Sequence, residues 1–244
     1  MNGIRGPVLI AAVVLAVSPS AGYAQSDLQP EAIEVLEAAY DYARRLQSLR
    51  IRADFSDESV FGDAHKLQFG GTMELGISPP SRLYALVKGD YRNRRMYLKD
   101  GTFTVFDEDV NVYATAKIPG PLNEALQTLQ SEYGLSAPGG ELFGGHAYEL
   151  LVERARKVIL VGMANIGGVD CHHIAGTLDD LDWQLWIRAE GDPQFCKYVL
   201  TDRSIPLAPQ FSITFTGWEA DVKLPDSQFD LKAPADAERI EFVR

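Results

Sequence analysis

The chain has 244 residues, of which 34 are acidic and 23 basic, for a formal net charge of −11. This balance excludes the classes that rely on a basic patch, namely nucleic-acid binders and proteins held on a bare anionic membrane. The length suffices to bury a substantial core in one domain or two.

At the N-terminus Arg5 precedes an unbroken apolar run from Val8 to Val17. That run is shorter than the roughly 17–20 residues a membrane helix needs. Ser18, Pro19 and Ser20 break it, and Gly22-Tyr23-Ala24 sets small residues where a signal peptidase reads. Residues 1–24 are therefore expected to be a signal peptide cleaved near Ala24, and residues 25–244 a single exported domain that does not span the membrane. Loss of Arg5 takes the formal charge from −11 to −12. No cysteine stands near the cleavage point to be acylated, so the mature chain is expected to be free in solution, in an oxidising compartment such as a bacterial periplasm.

The mature chain opens on a helical pattern. Asp27 is placed to cap it and Pro30 to sit in its first turn, while Ile33, Leu36, Tyr40, Ala43 and Leu46 recur at three- and four-residue steps. From Leu49 the period drops to two. Leu49, Ile51, Ala53 and Phe55 alternate with polar residues, and Leu67, Phe69, Met73, Leu75 and Ile77 do the same in the next segment. Gly70-Gly71 is expected to bend or bulge that second strand. Pro79-Pro80 ends the pair, and short strands follow near 82–88, 94–99, 102–107 and 110–117, separated by turn residues.

Pro119-Gly120-Pro121 then stops the sheet and starts a second helix, with Leu122, Ala125, Leu126, Leu129 and Tyr133 on one face and Gly134 at its end. A third helix is expected over 147–155, carrying Tyr148, Leu151 and Val152. Strands resume at 158–164, 169–177, 182–188, 195–201 and 210–218, where Phe211, Ile213 and Phe215 again alternate with polar residues. The pattern predicts an α+β fold. A strongly curved antiparallel sheet of about 11 strands, an incomplete barrel, has its concave face lidded by the helices.

Cys171 and Cys196 are the two cysteines. In an oxidising compartment such a pair is expected to form a disulfide, the alternative being two buried thiols. On the first and third strands of a flat meander they would stand about 10 Å apart, so the bond requires a bulge, a twist or a changed strand order.

Catalytic signatures are absent. There is no Gly-x-Ser-x-Gly elbow, no His-Glu-x-x-His, no phosphate-cradling glycine loop and no Cys-x-x-Cys. His172 and His173, with Asp170 and the acidic Asp179, Asp180 and Asp182, are the best remaining constellation. Adjacent strand residues point to opposite faces, so the two histidines do not readily share a metal. No catalytic residue, cofactor or metal site is assigned. In the segment from Trp183 to Ile187, Trp183, Leu185 and Ile187 share one face and Gln184 and Trp186 the other, so either tryptophan is a candidate for a ligand cavity or simply for packing.

Several of these stretches also resemble a known family. They are the Tyr-Leu-Lys-Asp-Gly turn ending at Gly101, Asn111-Val112-Tyr113-Ala114, Ile118-Pro119-Gly120, Cys171-His172-His173 and the aromatic strand from Asp182 to Ile187. Together they resemble the predicted periplasmic proteins grouped as domain-of-unknown-function family 2092, over nearly all of the mature chain. That resemblance implies a fold like that of the periplasmic lipoprotein carrier LolA and its outer-membrane receptor, whose concave apolar face holds acyl chains. It implies no established activity.

The expected function is accordingly a soluble periplasmic carrier or sensor of an apolar ligand, a lipid, an acyl chain or a lipoprotein. The expected cavity lining is Leu49, Ile51, Phe55, Leu67, Phe69, Met73, Leu75, Trp183, Trp186, Phe211, Ile213 and Phe215, under a movable lid that includes Leu126, Leu129 and Tyr148. The alternative is a module that docks an envelope protein and has no ligand cavity. A hydrolase or metal enzyme around His172 and His173 is the third reading.

Overall fold

In the computed structural model, residues 27–62, 65–135, 140–143 and 148–242 are described. The expected signal peptide lies outside them. Pro30 opens α1 (Pro30–Arg45) at a position where its missing N–H is not needed. Asp27 does not cap this helix. Gln29 is the N-cap, without a side-chain bond, and Asp27 lies in a two-residue strand, β1 (Asp27–Leu28). The cause is competition from the sheet, because the N–H groups of Asp27 and Gln29 donate to the carbonyls of Arg156 and Val158 at 3.1 and 2.9 Å. Ala32, Leu36, Ala39 and Tyr40 make the buried stripe of α1. Fully burying one leucine such as Leu36 stabilises the fold by about 1.5–3 kcal/mol.

The period-two segments form β2 (Leu49–Phe61), β3 (His65–Ser78), β4 (Arg82–Gly89), β5 (Asn93–Lys99), β6 (Thr102–Asp107) and β7 (Val112–Lys117). After a helical insert come β8 (Lys157–Ile166), β9 (Val169–Thr177), β10 (Leu181–Arg188), β11 (Phe195–Asp202) and β12 (Gln210–Ala220), and the tail adds β13 (Glu238–Arg239). The described strands make one 13-stranded sheet in the order β1-β8-β9-β10-β11-β12-β2-β3-β4-β5-β6-β7-β13. Its interior neighbours are antiparallel, whereas β1 and β13 join β8 and β7 in parallel at the two free edges. These two strands are the excess over the sequence expectation. The sheet does not close on itself. It curls, since residues from both halves, such as Phe103 of β6 and Trp183 of β10, enter one core with α1.

β2 and β3 pair without a register shift from Leu49↔Ile77 to Phe61↔His65, so no bulge occurs at Gly70-Gly71. Gly71 has another role. Phe55 lies directly opposite, and a Cβ at position 71 would come within 2.6 Å of its ring. Trp183 lies over Gly176 in the same way, with 2.2 Å to a Cβ built there.

In the insert, α2 (Leu122–Tyr133) buries Leu122, Ala125 and Leu129 and ends on Gly134 at φ 62°. The third helix is shorter than expected. It is a five-residue π-helical turn, Glu149–Glu153, that buries Leu151 and Val152, and Ala147 lies outside the described residues. So short a segment gains little from helix propagation, and burial of those two side chains sets its geometry.

Cys171 and Cys196 form the disulfide, reaching over β10 from β9 to β11. β11 carries one extra residue against β10, since Lys197 faces Trp186 while Phe195 faces Ile187, and Cys196 is that residue. The bulge brings the two Cα atoms to 7.0 Å, against about 10 Å for two regular strand spacings.

The C-terminal segment straps the convex face. Phe229 packs on Tyr84 and Tyr97, and Lys99 Nζ bonds Asp226 and Asp230 at 2.6 and 2.8 Å. The chain then passes the β7 edge as β13. On the concave side Phe242 meets Tyr133 of α2 at 5.0 Å and Phe103 at 6.3 Å.

Candidate functional site

Direct cross-strand partners point to the same face of a sheet, so the register sorts the concave face into rows. The first row, Leu49, Ile77, Leu83, Leu98 and Phe103, is buried throughout. The second begins with buried Ile51, Leu75 and Ala85 but continues into half-buried Met96 and Val105. In the third, Met73 and Val87 are half-buried and are followed by Arg94 and Asp107, which pair at 3.2 Å. In the fourth, Phe55 is half-buried beside buried Ile213. Beyond it come Asp57 with Phe69 and Phe211, then exposed Leu67 and Phe61 at the hairpin end. The helices cover one end of the concave face, and apolar coverage thins toward the other.

The covered end is filled by the insert. Phe143 sits among Phe195, Phe215 and Trp218, with ring centroids 5.9, 6.0 and 5.6 Å away. Among the described residues the buried indole N–H of Trp218 there has no hydrogen-bond acceptor. Tyr148 meets Tyr40 edge to face at 5.8 Å and donates its hydroxyl to Glu37 at 3.0 Å. Burial first, and then that bond to a carboxylate, push the Tyr148 hydroxyl up to about 12. Between α1 and the insert, a cleft of about 20 Å³ is lined by Tyr40, Ala43, Arg44, Leu142, Phe143 and Tyr148, which is room for about one water.

The expected lining residues are thus distributed over distinct places. Leu49, Ile51, Leu75, Ile213 and Trp183 are buried floor. Phe55, Met73, Phe211 and Phe215 line the half-covered part, and Leu126, Leu129 and Tyr148 belong to the insert. Leu67 is 47 % exposed, past the reach of the helices. Trp186 is corrected: it lies on the convex face beside the disulfide, because strand alternation sends it opposite to Trp183 and Leu185. Val87, Met96, Val105, Asp57 and Phe143 also stand on the concave side, beyond the residues expected there. β5 carries Arg94, Arg95 and Tyr97 around Met96, which blurs its alternation, whereas Asp57 was findable as the residue two beyond Phe55.

The histidines do not converge. His173 stacks on Trp186 at 4.2 Å and hydrogen-bonds Gln184 at 2.9 Å on the convex face, with Lys197 5.2 Å from the Trp186 ring. His172 faces the other way, between Met163 and Ile187 in the register. Among the described residues no group of three or more His, Cys, Asp or Glu side chains is placed to hold a metal. Among them, too, no helix is long and apolar enough to cross a membrane.

Burial holds the Asp57 carboxyl above the usual range, opposed by a hydrogen bond from Tyr91 and reinforced by Glu58. A carboxyl raised on folding favours the fold below its unfolded pKa, and that contribution is lost as pH rises through the folded value. Ionised Asp57 therefore destabilises the protein at neutral pH. Asp57→Asn is expected to raise Tm at pH 7, with the gain vanishing below about pH 3.8. A gain that persists at pH 3 in thermal denaturation would contradict this assignment.

An open antiparallel sheet curled around a helical insert is also the fold of LprF from Mycobacterium bovis. The two share 15 % identity at a TM-score of 0.51, over 81 % of this chain and 97 % of that one. Further similar structures are the Mycobacterium tuberculosis lipoprotein LppX (TM-score 0.48, 14 % identity, 81 % and 100 % covered) and a LolA superfamily protein from Nitrosomonas europaea (0.37, 11 %, 82 % and 97 %). The chain belongs to the family described as predicted periplasmic protein (DUF2092), whose profile matches residues 32–243, and it is periplasmic. The family is the one the motif resemblance implied, and the open, curled antiparallel sheet is the architecture the strand pattern predicts. No curated protein matches the chain.

Proposed function

We propose that this protein carries or senses an apolar ligand, a lipid, an acyl chain or the acylated part of a lipoprotein, on its concave face, and does so without catalysis. The observation that carries the reading is the half-covered apolar strip of Phe55, Met73, Val87, Met96 and Val105, continuous with a sealed core. Protein interiors pack to the density of organic crystals. An inward-facing strip that the chain's own helices leave half open is a seat for a guest. The Trp218 N–H, without an acceptor among the described residues, supports the same reading, because an ester or amide oxygen would satisfy a donor whose isolation costs about 1–3 kcal/mol. On this reading, uptake displaces Phe143 and lifts the insert, with Tyr148 hinged on Glu37.

The test uses N-phenyl-1-naphthylamine, a neutral probe whose fluorescence rises in apolar surroundings. Saturable binding is expected, and Met73→Trp, which fills the open strip, is expected to weaken it at least tenfold while Trp186→Ala on the convex face leaves it unchanged. Binding that ignores Met73→Trp would contradict the placement.

A second reading, docking of an envelope protein, draws on β8. Past Val158 its outer edge has no strand partner among the described residues, and Val161 and Met163 are exposed. An uncharged free edge is a site for strand addition.

A further inference from the structure

Asp57 interrupts the apolar alternation of β2. Standing two residues past Phe55, it points to the concave side, and its direct cross-strand neighbours are Phe69 on β3 and Phe211 on β12. Directly opposed side chains on one sheet face have Cβ atoms about 4.5–5.5 Å apart. The carboxylate is therefore flanked by a phenyl ring on each side. Tyr91 meets Phe69 edge to face at 4.8 Å and its hydroxyl acts to lower the Asp57 pKa against the effect of burial, and Phe61 meets Phe69 at 6.2 Å. Phe61 and Tyr91 are 50 % and 52 % exposed, so the group is reachable from the hairpin end. Among the described residues no Lys, Arg or His pairs with Asp57. Glu58 next to it points to the other face, where it pairs with Lys66 at 2.9 Å. The guanidinium of Arg92 stands 5.7 Å from the Tyr91 ring centre, so this ring already seats a cation.

We propose that Asp57, Phe61, Phe69, Tyr91 and Phe211 form a cage for a positively charged amine or quaternary ammonium group, the head of the ligand whose chain lies on the apolar rows. Aromatic faces attract cations, most strongly when desolvated. A guest cation also supplies the positive partner that the half-buried Asp57 carboxylate lacks among the described residues. The chain half of this inference rests on the apolar-ligand reading, while the cage stands on its own residues. A lipid head group and a free soluble amine share the chemistry.

Isothermal titration of the detergent-free mature protein separates them, with dodecyltrimethylammonium carrying chain and head, dodecyl maltoside the chain alone and tetramethylammonium the head alone, each kept below any micellar concentration. Dodecyltrimethylammonium is expected to bind at least tenfold more tightly than dodecyl maltoside, and Asp57→Asn to bring that ratio close to one. Equal affinities of the wild type for the two dodecyl ligands, or a ratio that survives Asp57→Asn, overturns the cage and leaves the apolar seat standing. Binding of tetramethylammonium without dodecyl maltoside supports the cage as a free-amine site and counts against the apolar seat. Failure of all three to bind overturns both.

Discussion

Trp183→Ala lowers the unfolding free energy by about 3 kcal/mol, the lower end of the usual range for truncating a buried tryptophan. Trp183 is among the largest fully buried side chains, and it lies over Gly176 on β9. Its loss empties a space that the neighbouring strands, fixed by their hydrogen bonds, cannot refill. The effect stays at the low end because the Trp183 indole N–H has no acceptor among the described residues, so truncation also removes a buried donor that costs about 1–3 kcal/mol. A companion substitution makes the argument specific. Gly176→Ala in the wild type forces a methyl group to within 2.2 Å of the Trp183 ring and destabilises by about 1–3 kcal/mol. In the Trp183→Ala background the same methyl enters the vacated space and is neutral or stabilising. Denaturant unfolding of the four proteins reads the coupling, and additive effects would contradict the packing of Trp183 over Gly176.

Replacing Cys171 and Cys196 together by alanine lowers stability by about 3.5 kcal/mol, the loop-closure value for a sequence separation of 25. Both cysteines are buried with Trp186 and Val199 in a small convex-face cluster, apart from the main core. The bond therefore clamps β9 to β11 from outside. Because that cluster does not face the half-covered strip, the double variant is expected to bind N-phenyl-1-naphthylamine with unchanged affinity at temperatures where it remains folded. Thermal unfolding and probe titration of one sample separate the two effects. Loss of affinity without loss of stability would place the disulfide in the ligand site, contrary to the register.

Most of the sheet is legible in the sequence because one face is wet and the other apolar, and β2, β3 and β12 show that alternation openly. The bulge that lets Cys196 reach Cys171 was among the devices the cysteine spacing required. β1 and β13 were invisible, since two residues carry no period, and they form only because the chain passes a free edge. The strap around Phe229 was equally silent. Its anchor is one aromatic ring and a pair of aspartates whose partner, Lys99, is far away in sequence. Gly70-Gly71 misled because glycine reads as a bend, whereas a glycine opposite Phe55 creates room for the ring. At the site, the apolar floor could be read from alternation. How far the helices cover it depends on packing distances, and so did not follow from residue order.

The most direct test of ligand binding on the concave face is native mass spectrometry of the mature protein purified without detergent, before and after incubation with envelope lipids, followed by solvent extraction of whatever travels with it. A stoichiometric adduct that extracts as a lipid or acylated peptide, and that Met73→Trp abolishes, is the predicted result. A bare mass that no lipid or lipoprotein changes would contradict the account and leave the free β8 edge as the functional surface.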